Sequence, residues 1–171
     1  MTDPWLSDNW LNDLPTDRKP RTQKPRPAKT DPKLIFRFQE AHAKYTQAKF
    51  PQAFAACYNA PKMPKIHTAN GLTQAIVKFL LWSGHRATRI SSAGRMIAGK
   101  YIPGATRKGA ADISATIRGR SVQIEVKVGN DRPSEYQLRE QELERKAGGV
   151  YIFIKTFEEF ILWYDQYLVS L

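Results

Sequence analysis

Alternating apolar and polar positions predict two neighbouring strands in the second half of the chain. Every second residue of the stretch 121–128 is apolar, which leaves Glu125 and Lys127 on the opposite face of the strand. The stretch 111–117 alternates in the same way and places Asp112 on its polar face. One face of each strand is therefore expected to pack in a core while the other carries charge.

Pairing the apolar faces of these two strands brings the three charged residues together. An Arg-Gly-Arg sequence between the strands is typical of a tight hairpin turn. If Ile113 lies opposite Val126, then Asp112 lies across from Lys127 and diagonal to Glu125. The hairpin is therefore expected to gather two carboxylates and an ammonium on one surface.

Other patterns place helices and strands around this hairpin. Asn70 is expected to cap the first helix of the domain and Gly84 to end it. The order helix, three strands, helix, strand, helix predicts an α/β fold with a central mixed sheet and helices on both faces. The other predicted segments are a strand at residues 86–90, a Gly-rich loop at 91–109, a helix at 134–147, a buried strand at 150–154 and a helix at 157–169.

Residues 1–65 differ in composition and are predicted to form an N-terminal extension before a domain at residues 66–171. Within the extension, residues 17–33 are rich in Arg, Lys and Pro and cannot bury enough apolar area to offset the entropy of ordering. A flexible basic segment is therefore expected, either contacting a phosphate backbone or acting as a solvated linker.

Two other parts of the extension carry apolar residues. Residues 34–58 show a ragged helical pattern that Pro51 interrupts, and two prolines within residues 60–65 indicate a linker. Between Trp5 and Leu14 the apolar residues recur at helical spacing among acids. That segment is expected to dock a protein partner or to cap the domain.

The formal net charge of +11 points to a polyanionic partner. Neutralising phosphates releases condensed counterions, so DNA is the expected partner. A membrane is not expected, because neither a basic amphipathic helix nor an apolar run of roughly 20 residues is evident. The single cysteine, Cys57, and three histidines exclude an internal disulfide and a Cys–His zinc cluster. Together with the lack of a secretion signal, this predicts a cytoplasmic location.

The predicted charged surface has a chemical logic. Two carboxylates one strand apart can hold Mg²⁺ or Mn²⁺ through oxygen ligands, and the ion can activate water for attack on a phosphodiester. Lys127 would position that water or stabilise charge in the transition state. A lone E-x-K in a strand is more often part of a solvated sheet face, so the hypothesis depends on Asp112 and the elements around it.

These motifs resemble the PD-(D/E)XK nucleases, and among them the VRR-NUC domains related to Holliday junction resolvases. The resemblance rests on Asp112 after Gly-Ala-Ala, on Ile-Glu125-Val126-Lys127 and on Ser-Glu-Tyr-Gln137, and it covers roughly residues 69–164. It implies a restriction-endonuclease-like core of the order αβββαβα. It also implies that Asp112, Glu125 and the backbone carbonyl of Val126 bind the metal, that Lys127 assists the attacking water and that Gln137 supports the site.

The chain departs from the family pattern at two places. Ala111 stands where proline usually precedes the aspartate, a residue without a chemical role. Many relatives have a glutamate near the start of the first helix, where this chain has Asn70, Thr73 and Gln74. Whether one or two metal ions bind is therefore left open. Gln137 also fits a capping box with Ser134, so catalytic support and capping are both open for it.

Basic residues before Asp112 are candidates for phosphate contact, although such residues also serve solubility. They are Arg89, Arg95, Lys100, Arg107 and Lys108. The resulting prediction is a Mg²⁺-dependent nuclease for DNA, branched or single-stranded, acting in replication, recombination or repair, as a homodimer if two strands are cut. The alternatives are a non-cleaving DNA-binding module on the same fold, and a scaffold that recruits partners through Trp5 to Leu14.

Overall fold

The computed structural model describes residues 29–90, 95–97, 99–102 and 108–171. Two helices come first, α1 (Pro32–Lys49) and α2 (Pro51–Cys57), and a proline lies in the first turn of each, where no backbone donor is lost. The elements that follow are α3 (Ala69–Trp82), β1 (Arg86–Arg89), β2 (Arg95–Ile97), β3 (Lys100–Ile102), β4 (Ile113–Ile117), β5 (Arg120–Val126), α4 (Glu135–Lys146), β6 (Val150–Ile154) and α5 (Phe157–Val169). Among the described residues, no helix is both long enough and apolar enough to cross a bilayer.

A four-stranded mixed sheet organises the domain, with strand order β1-β4-β5-β6. Strands β1, β4 and β5 are antiparallel neighbours, and β6 runs parallel to β5. The apolar side chains of β4 and β5 share a buried core with α3 and α5, and the polar side chains on the opposite face contact α4. The predicted α/β fold, with a mixed sheet flanked by helices, is confirmed and is consistent with a restriction-endonuclease-like core.

The hairpin of β4 and β5 has a different register from the predicted one. Its two-residue turn, Arg118 (φ 47°) and Gly119 (φ 83°), has positive φ at both positions, as a tight hairpin turn of this kind requires. This turn places Ile113 opposite Ile124, so the predicted pairing of Ile113 with Val126 is wrong by two residues. A shift of two residues preserves the faces, and the observed register continues with Asp112 opposite Glu125.

Helix α1 contributes to the same core as the predicted nuclease domain. Phe38 is fully buried, with its ring centroid 4.9 Å from that of Trp82 and 6.1 Å from that of Phe157. Edge-on aromatic contacts of this kind stabilise packing beyond the area they bury. A boundary after residue 65 therefore stays a proposal about where the family resemblance begins, since the packed core reaches back to α1.

Two local predictions need correction. The cap of α3 is Thr68, whose hydroxyl accepts from the Gly71 amide at 3.1 Å, while Asn70 lies inside the first turn. The predicted loop at residues 91–109 contains a short antiparallel hairpin of β2 and β3, with Gly99 (φ 76°) between the strands. Strands of three residues are too short to show a clear alternation in the sequence.

The predicted basic segment and the predicted docking motif lie mostly or wholly outside the part of the chain that the structure describes. Residues 1–28, which include Trp5 to Leu14, fall outside it. The described chain enters α1 through Asp31, whose carboxylate accepts from the Lys33 amide at 2.8 Å. The first helix thus has a side-chain N-terminal cap within the described residues.

Candidate active site

Asp112 and Glu125 lie side by side at one end of the two central strands. The backbone carbonyl of Asp112 accepts from the Ile90 amide at 2.8 Å, which ties this end of β4 to the end of β1. The Asp112 carboxylate accepts from the Val126 amide at 3.0 Å. A side-chain oxygen thus continues the ladder between β4 and β5 and holds Asp112 against the neighbouring strand.

Glu125 is a buried carboxylate whose two oxygens differ in their hydrogen bonding. Its exposed fraction is only 5%. Oε1 accepts from the side-chain amide of Gln137 and lies 3.2 Å from the Lys127 ammonium. Oε2 is also buried and has no hydrogen-bond partner among the described residues. A buried acceptor without a donor is costly unless another group approaches it.

The surroundings of Glu125 disfavour its charged form. Burial is the main cause that raises the pKa of Glu125, and the negative charge of Asp112 adds to it. The hydrogen bond and positive charge of Lys127, and then the backbone amide of Asp112, act in the opposite direction and lower the pKa. A cation beside both carboxylates would reverse this repulsion.

Lys127 is buried although it is charged, with an exposed fraction of 7%. Its ammonium lies between two carboxylates, 3.2 Å from Glu125 Oε1 and 3.3 Å from Asp131 Oδ2. The Lys127 amide donates to the Ile154 carbonyl at 2.8 Å, which continues the pairing of β5 with β6. Asp131 was not predicted as part of the site, because it lies in the irregular segment after β5, where alternation gives no signal.

Gln137 makes both contacts that the sequence left open. Its Oε1 accepts from the Ser134 amide at 2.9 Å, and the Ser134 hydroxyl accepts from the Gln137 amide at 3.4 Å, which completes a capping box at the start of α4. Its Nε2 donates to Glu125. The cap therefore fixes the orientation of the amide that holds Glu125.

The carboxylate oxygens at this site suit a hard divalent cation that binds few protein groups. Within the described residues, no cluster of three or more His, Cys, Asp or Glu side chains could hold a metal ion. The paired carboxylates of Asp112 and Glu125 and the unpartnered Glu125 Oε2 are nevertheless oxygen ligands of the kind that Mg²⁺ uses together with water and substrate phosphate.

The start of α3 carries an amide, Asn70, at the position where many PD-(D/E)XK nucleases have a carboxylate. Asn70 Oδ1 accepts from the Arg89 guanidinium. Arg89 pairs with Ile113 across β1 and β4, so its side chain lies on the α3 side of the sheet, opposite to Glu125. Arg89, one of the predicted phosphate contacts, is exposed, and its guanidinium is hydrogen-bonded to Asn70 of α3.

The other predicted phosphate contacts are spread along the chain before Asp112. Lys108 is exposed, and its ammonium lies 5.3 Å from the centre of the Tyr136 ring. Arg95 is the first residue of β2 and Lys100 is the first residue of β3. Arg107 lies outside the described residues. DNA contact by these residues stays a prediction.

Tyr151 anchors the segment that enters the site. Its hydroxyl donates to the Gly109 carbonyl at 3.1 Å. Burial, followed by the negative charges of Glu125 and Asp112, raises the pKa of Tyr151, so it stays a protonated donor at neutral pH. Gly109 (φ 86°) also packs closely against α4, since a Cβ there would come within 2.5 Å of the Tyr136 carbonyl oxygen.

Comparisons with known proteins gave a similarity to one solved domain. No family model matches the chain, and no match was found among curated proteins. A solved structure described as a VRR_NUC domain is 25% identical, covers 58% of this chain and 98% of its own, and superposes with a TM-score of 0.44.

Proposed function

We propose that the protein is a metal-dependent nuclease that hydrolyses phosphodiester bonds in DNA. The observation that carries this proposal is the buried Glu125, which lies beside a second carboxylate and has one oxygen without a hydrogen-bond partner in the part of the chain that the structure describes. A purely structural carboxylate in this position would be expected to have its hydrogen bonds satisfied. The arrangement instead leaves an acceptor for a ligand.

The proposed roles follow from the contacts of each side chain. Asp112, Glu125 and the Val126 carbonyl would hold Mg²⁺ or Mn²⁺. When bound, the ion supplies a water of lowered pKa and neutralises charge on the scissile phosphate. Lys127, kept in place by Glu125 and Asp131, would donate to the attacking water or to the phosphate oxygens. Gln137 would fix the orientation of Glu125.

DNA as substrate is supported by the charge of the chain. An excess of eleven positive charges favours a polyanion and makes its binding sensitive to salt. The Mg²⁺ requirement, the DNA substrate and a role in replication, recombination or repair are parts of this proposal. Branched or single-stranded DNA is the proposed substrate form.

The test is cleavage of plasmid, single-stranded and branched DNA in Mg²⁺, in Mn²⁺ and in EDTA. Asp112→Asn, Glu125→Gln and Lys127→Met are each expected to lower the cleavage rate by roughly 10²-fold or more, since each removes a group acting on the transition state. Glu142→Gln is the matched control, because Glu142 is a carboxylate on α4 that pairs with Arg145 away from the site.

Folding has to be excluded as the cause of any loss. Asp112→Asn keeps a side-chain oxygen for the Val126 amide, so its unfolding temperature in EDTA is expected to equal or exceed that of the wild type. Added Mg²⁺ or Mn²⁺ should raise the unfolding temperature of the wild type more than that of the variant, since a ligand stabilises the state that binds it. A wild-type protein that cuts none of the substrates with either metal would contradict the proposal.

A second function is favoured by one observation, the Asn70–Arg89 contact at the start of α3. An amide bonded to an arginine does not supply the additional carboxylate that many relatives have there. A fold that binds DNA without cutting it would show this pattern. Metal-independent DNA binding together with inactivity on every substrate would favour this binding module.

A further inference from the structure

Tyr136 presents an aromatic ring to solvent beside the candidate active site. The exposed fraction of Tyr136 is 52%, and α4, which the structure describes throughout, has no buried residue. The helix is joined to the sheet by polar side chains that bond to sheet groups, namely Gln137, Gln141 and Glu144. The Tyr136 ring is therefore not required for packing α4 on the sheet.

A cation accompanies this ring. The ammonium of Lys108 lies 5.3 Å from the ring centre, within the range of a cation–π contact. The two residues are held together by the backbone, because the positive φ of Gly109 and its lack of a Cβ allow the chain to approach the Tyr136 carbonyl. We call the Tyr136 ring and the Lys108 ammonium the Tyr136–Lys108 pair.

The pair lies next to the groups that would perform catalysis. Tyr136 directly precedes Gln137, whose amide donates to Glu125, and adjacent residues are only about 3.8 Å apart along the backbone. Lys108 is four residues before Asp112 on the segment that Tyr151 anchors. Two of the chain segments that approach the carboxylates thus each carry one member of the pair.

We propose that the Tyr136–Lys108 pair binds an unpaired nucleotide next to the scissile phosphate, with the base stacked on the ring and a phosphate on the ammonium. This rests on the proposed nuclease function and specifies its substrate class, which is nucleic acid with a single-stranded segment at the cleavage site. Bases in an intact duplex are stacked on each other and offer no free face to a ring. A base–aromatic stack requires an unpaired base and tolerates any sequence.

The test measures binding of the full chain in EDTA, where cleavage does not interfere. The probes are a single-stranded oligonucleotide and a flap duplex that carry 2-aminopurine, and a blunt duplex of the same sequence. Tyr136→Ala is expected to weaken affinity for the first two by roughly 5- to 150-fold, the range for one base–aromatic stack, and for the blunt duplex by less than about twofold. Quenching of 2-aminopurine on binding should disappear with the ring.

Three further variants separate base stacking from charge attraction and from a general loss of apolar surface. Tyr136→Phe keeps the ring and should retain both affinity and quenching. Lys108→Ala should weaken binding to all three probes and reduce its salt dependence by about one phosphate contact. Leu143→Ala removes another exposed apolar side chain of α4 and should leave binding unchanged. Circular dichroism verifies that each variant is folded.

The outcomes distinguish this proposal from the nuclease proposal. Equal loss on single-stranded and blunt probes, or no loss in Tyr136→Ala, would overturn the stacking role whether or not the protein cuts DNA. Selective loss with quenching by the wild type would support stacking, even if every cleavage assay were negative and the nuclease proposal failed.

Discussion

At the scale of single residues, Gln137 shows how local structure and site chemistry share one side chain. Its side-chain oxygen accepts from the Ser134 amide in the capping box, and its side-chain nitrogen donates to Glu125. An amide can do both because it carries an acceptor and donors at the same end. The Ser-x-x-Gln spacing predicts the cap, and only the three-dimensional structure shows that the second contact coexists with it.

The two contacts of Gln137 can be separated by mutation. Ser134→Ala removes the hydroxyl that accepts from the Gln137 amide and should destabilise the protein by about 1 kcal/mol while cleavage stays close to wild type. Gln137→Ala removes the acceptor for the Ser134 amide and the donor to Glu125, so it should lower stability by a similar amount and cleavage by at least 10-fold. Chemical denaturation and initial cleavage rates measure these effects. Equal cleavage losses in the two variants would contradict separate roles.

Other residue-level features were only partly predictable from the sequence. The alternation of β5 predicts that Glu125 and Lys127 share a face, and the structure confirms this through their 3.2 Å contact. Asp131 could not be predicted, because its contact with Lys127 depends on the path of the irregular segment that follows. The bond of Arg89 to Asn70 depends on how α3 packs at the end of β1.

At the scale of elements, faces were predictable and registers were not. Side chains alternate with a period of two, so apolar positions identify the inner face of β4 and β5 whatever their pairing. Their register is determined by the two-residue turn, in which Arg118 adopts a positive φ that is uncommon for a residue with a side chain. The helices α4 and α5 begin within one residue of the predicted positions.

The attachment of α1 to the core gives a prediction about the extent of the domain. Phe38→Ala empties a fully buried position between Trp82 and Phe157 and should reduce the free energy of unfolding by about 3–5 kcal/mol. Phe36→Ala is the matched control on the same helix, since Phe36 is 68% exposed. Urea unfolding measures both variants. Similar, small effects would indicate that α1 is an appendage.

The contact between His85, just after α3, and Tyr164 on α5 predicts a pH dependence of stability. His85 Nε2 lies 2.8 Å from the Tyr164 hydroxyl, and burial, then the charge of Arg118, lowers the pKa of His85 below its usual value. The unfolded chain therefore takes up the proton first. The contribution of neutral His85 to stability is therefore fully present above a pH of about 6.5. It is lost as the pH falls through the pKa of His85 in the folded protein.

Urea unfolding of the wild type and His85→Gln between pH 5.5 and 7.5 checks this sign. Glutamine does not titrate, so the variant should lose less stability on acidification than the wild type. His42→Gln provides a comparison, because burial also lowers the pKa of His42 and its removal should flatten the profile independently. A profile for His85→Gln that is as steep as the wild type would contradict the assignment.

At the scale of the whole molecule, the positive charge belongs mainly to the part of the chain from residue 29 onward. Residues 1–28 contain five basic and four acidic residues. Removing them would leave nearly all of the +11 net charge in place. Attraction for a polyanion is therefore expected to be a property of the domain, with the Pro-rich segment as an accessory.

A chain of residues 29–171 tests this distribution of charge and keeps Asp31, the cap of α1. It should retain most of the cleavage activity, and its salt dependence of DNA binding should fall by no more than about one phosphate contact. A chain of residues 17–171, which keeps the basic stretch, is the control. A fall equivalent to four or five phosphates for residues 29–171 would show that the segment itself binds DNA. Fluorescence anisotropy at several salt concentrations makes the comparison.

The two-residue turn between β4 and β5 has a consequence for how the site assembles. Asp112 and Glu125 become neighbours as soon as this hairpin closes, an event that takes microseconds in isolated hairpins. The burial of Glu125 depends on β6 and α4, which come later in the chain. In the order of synthesis, the two carboxylates therefore first become neighbours while both are exposed to water. Only the completed domain buries Glu125, and a cation would then stabilise its charged form.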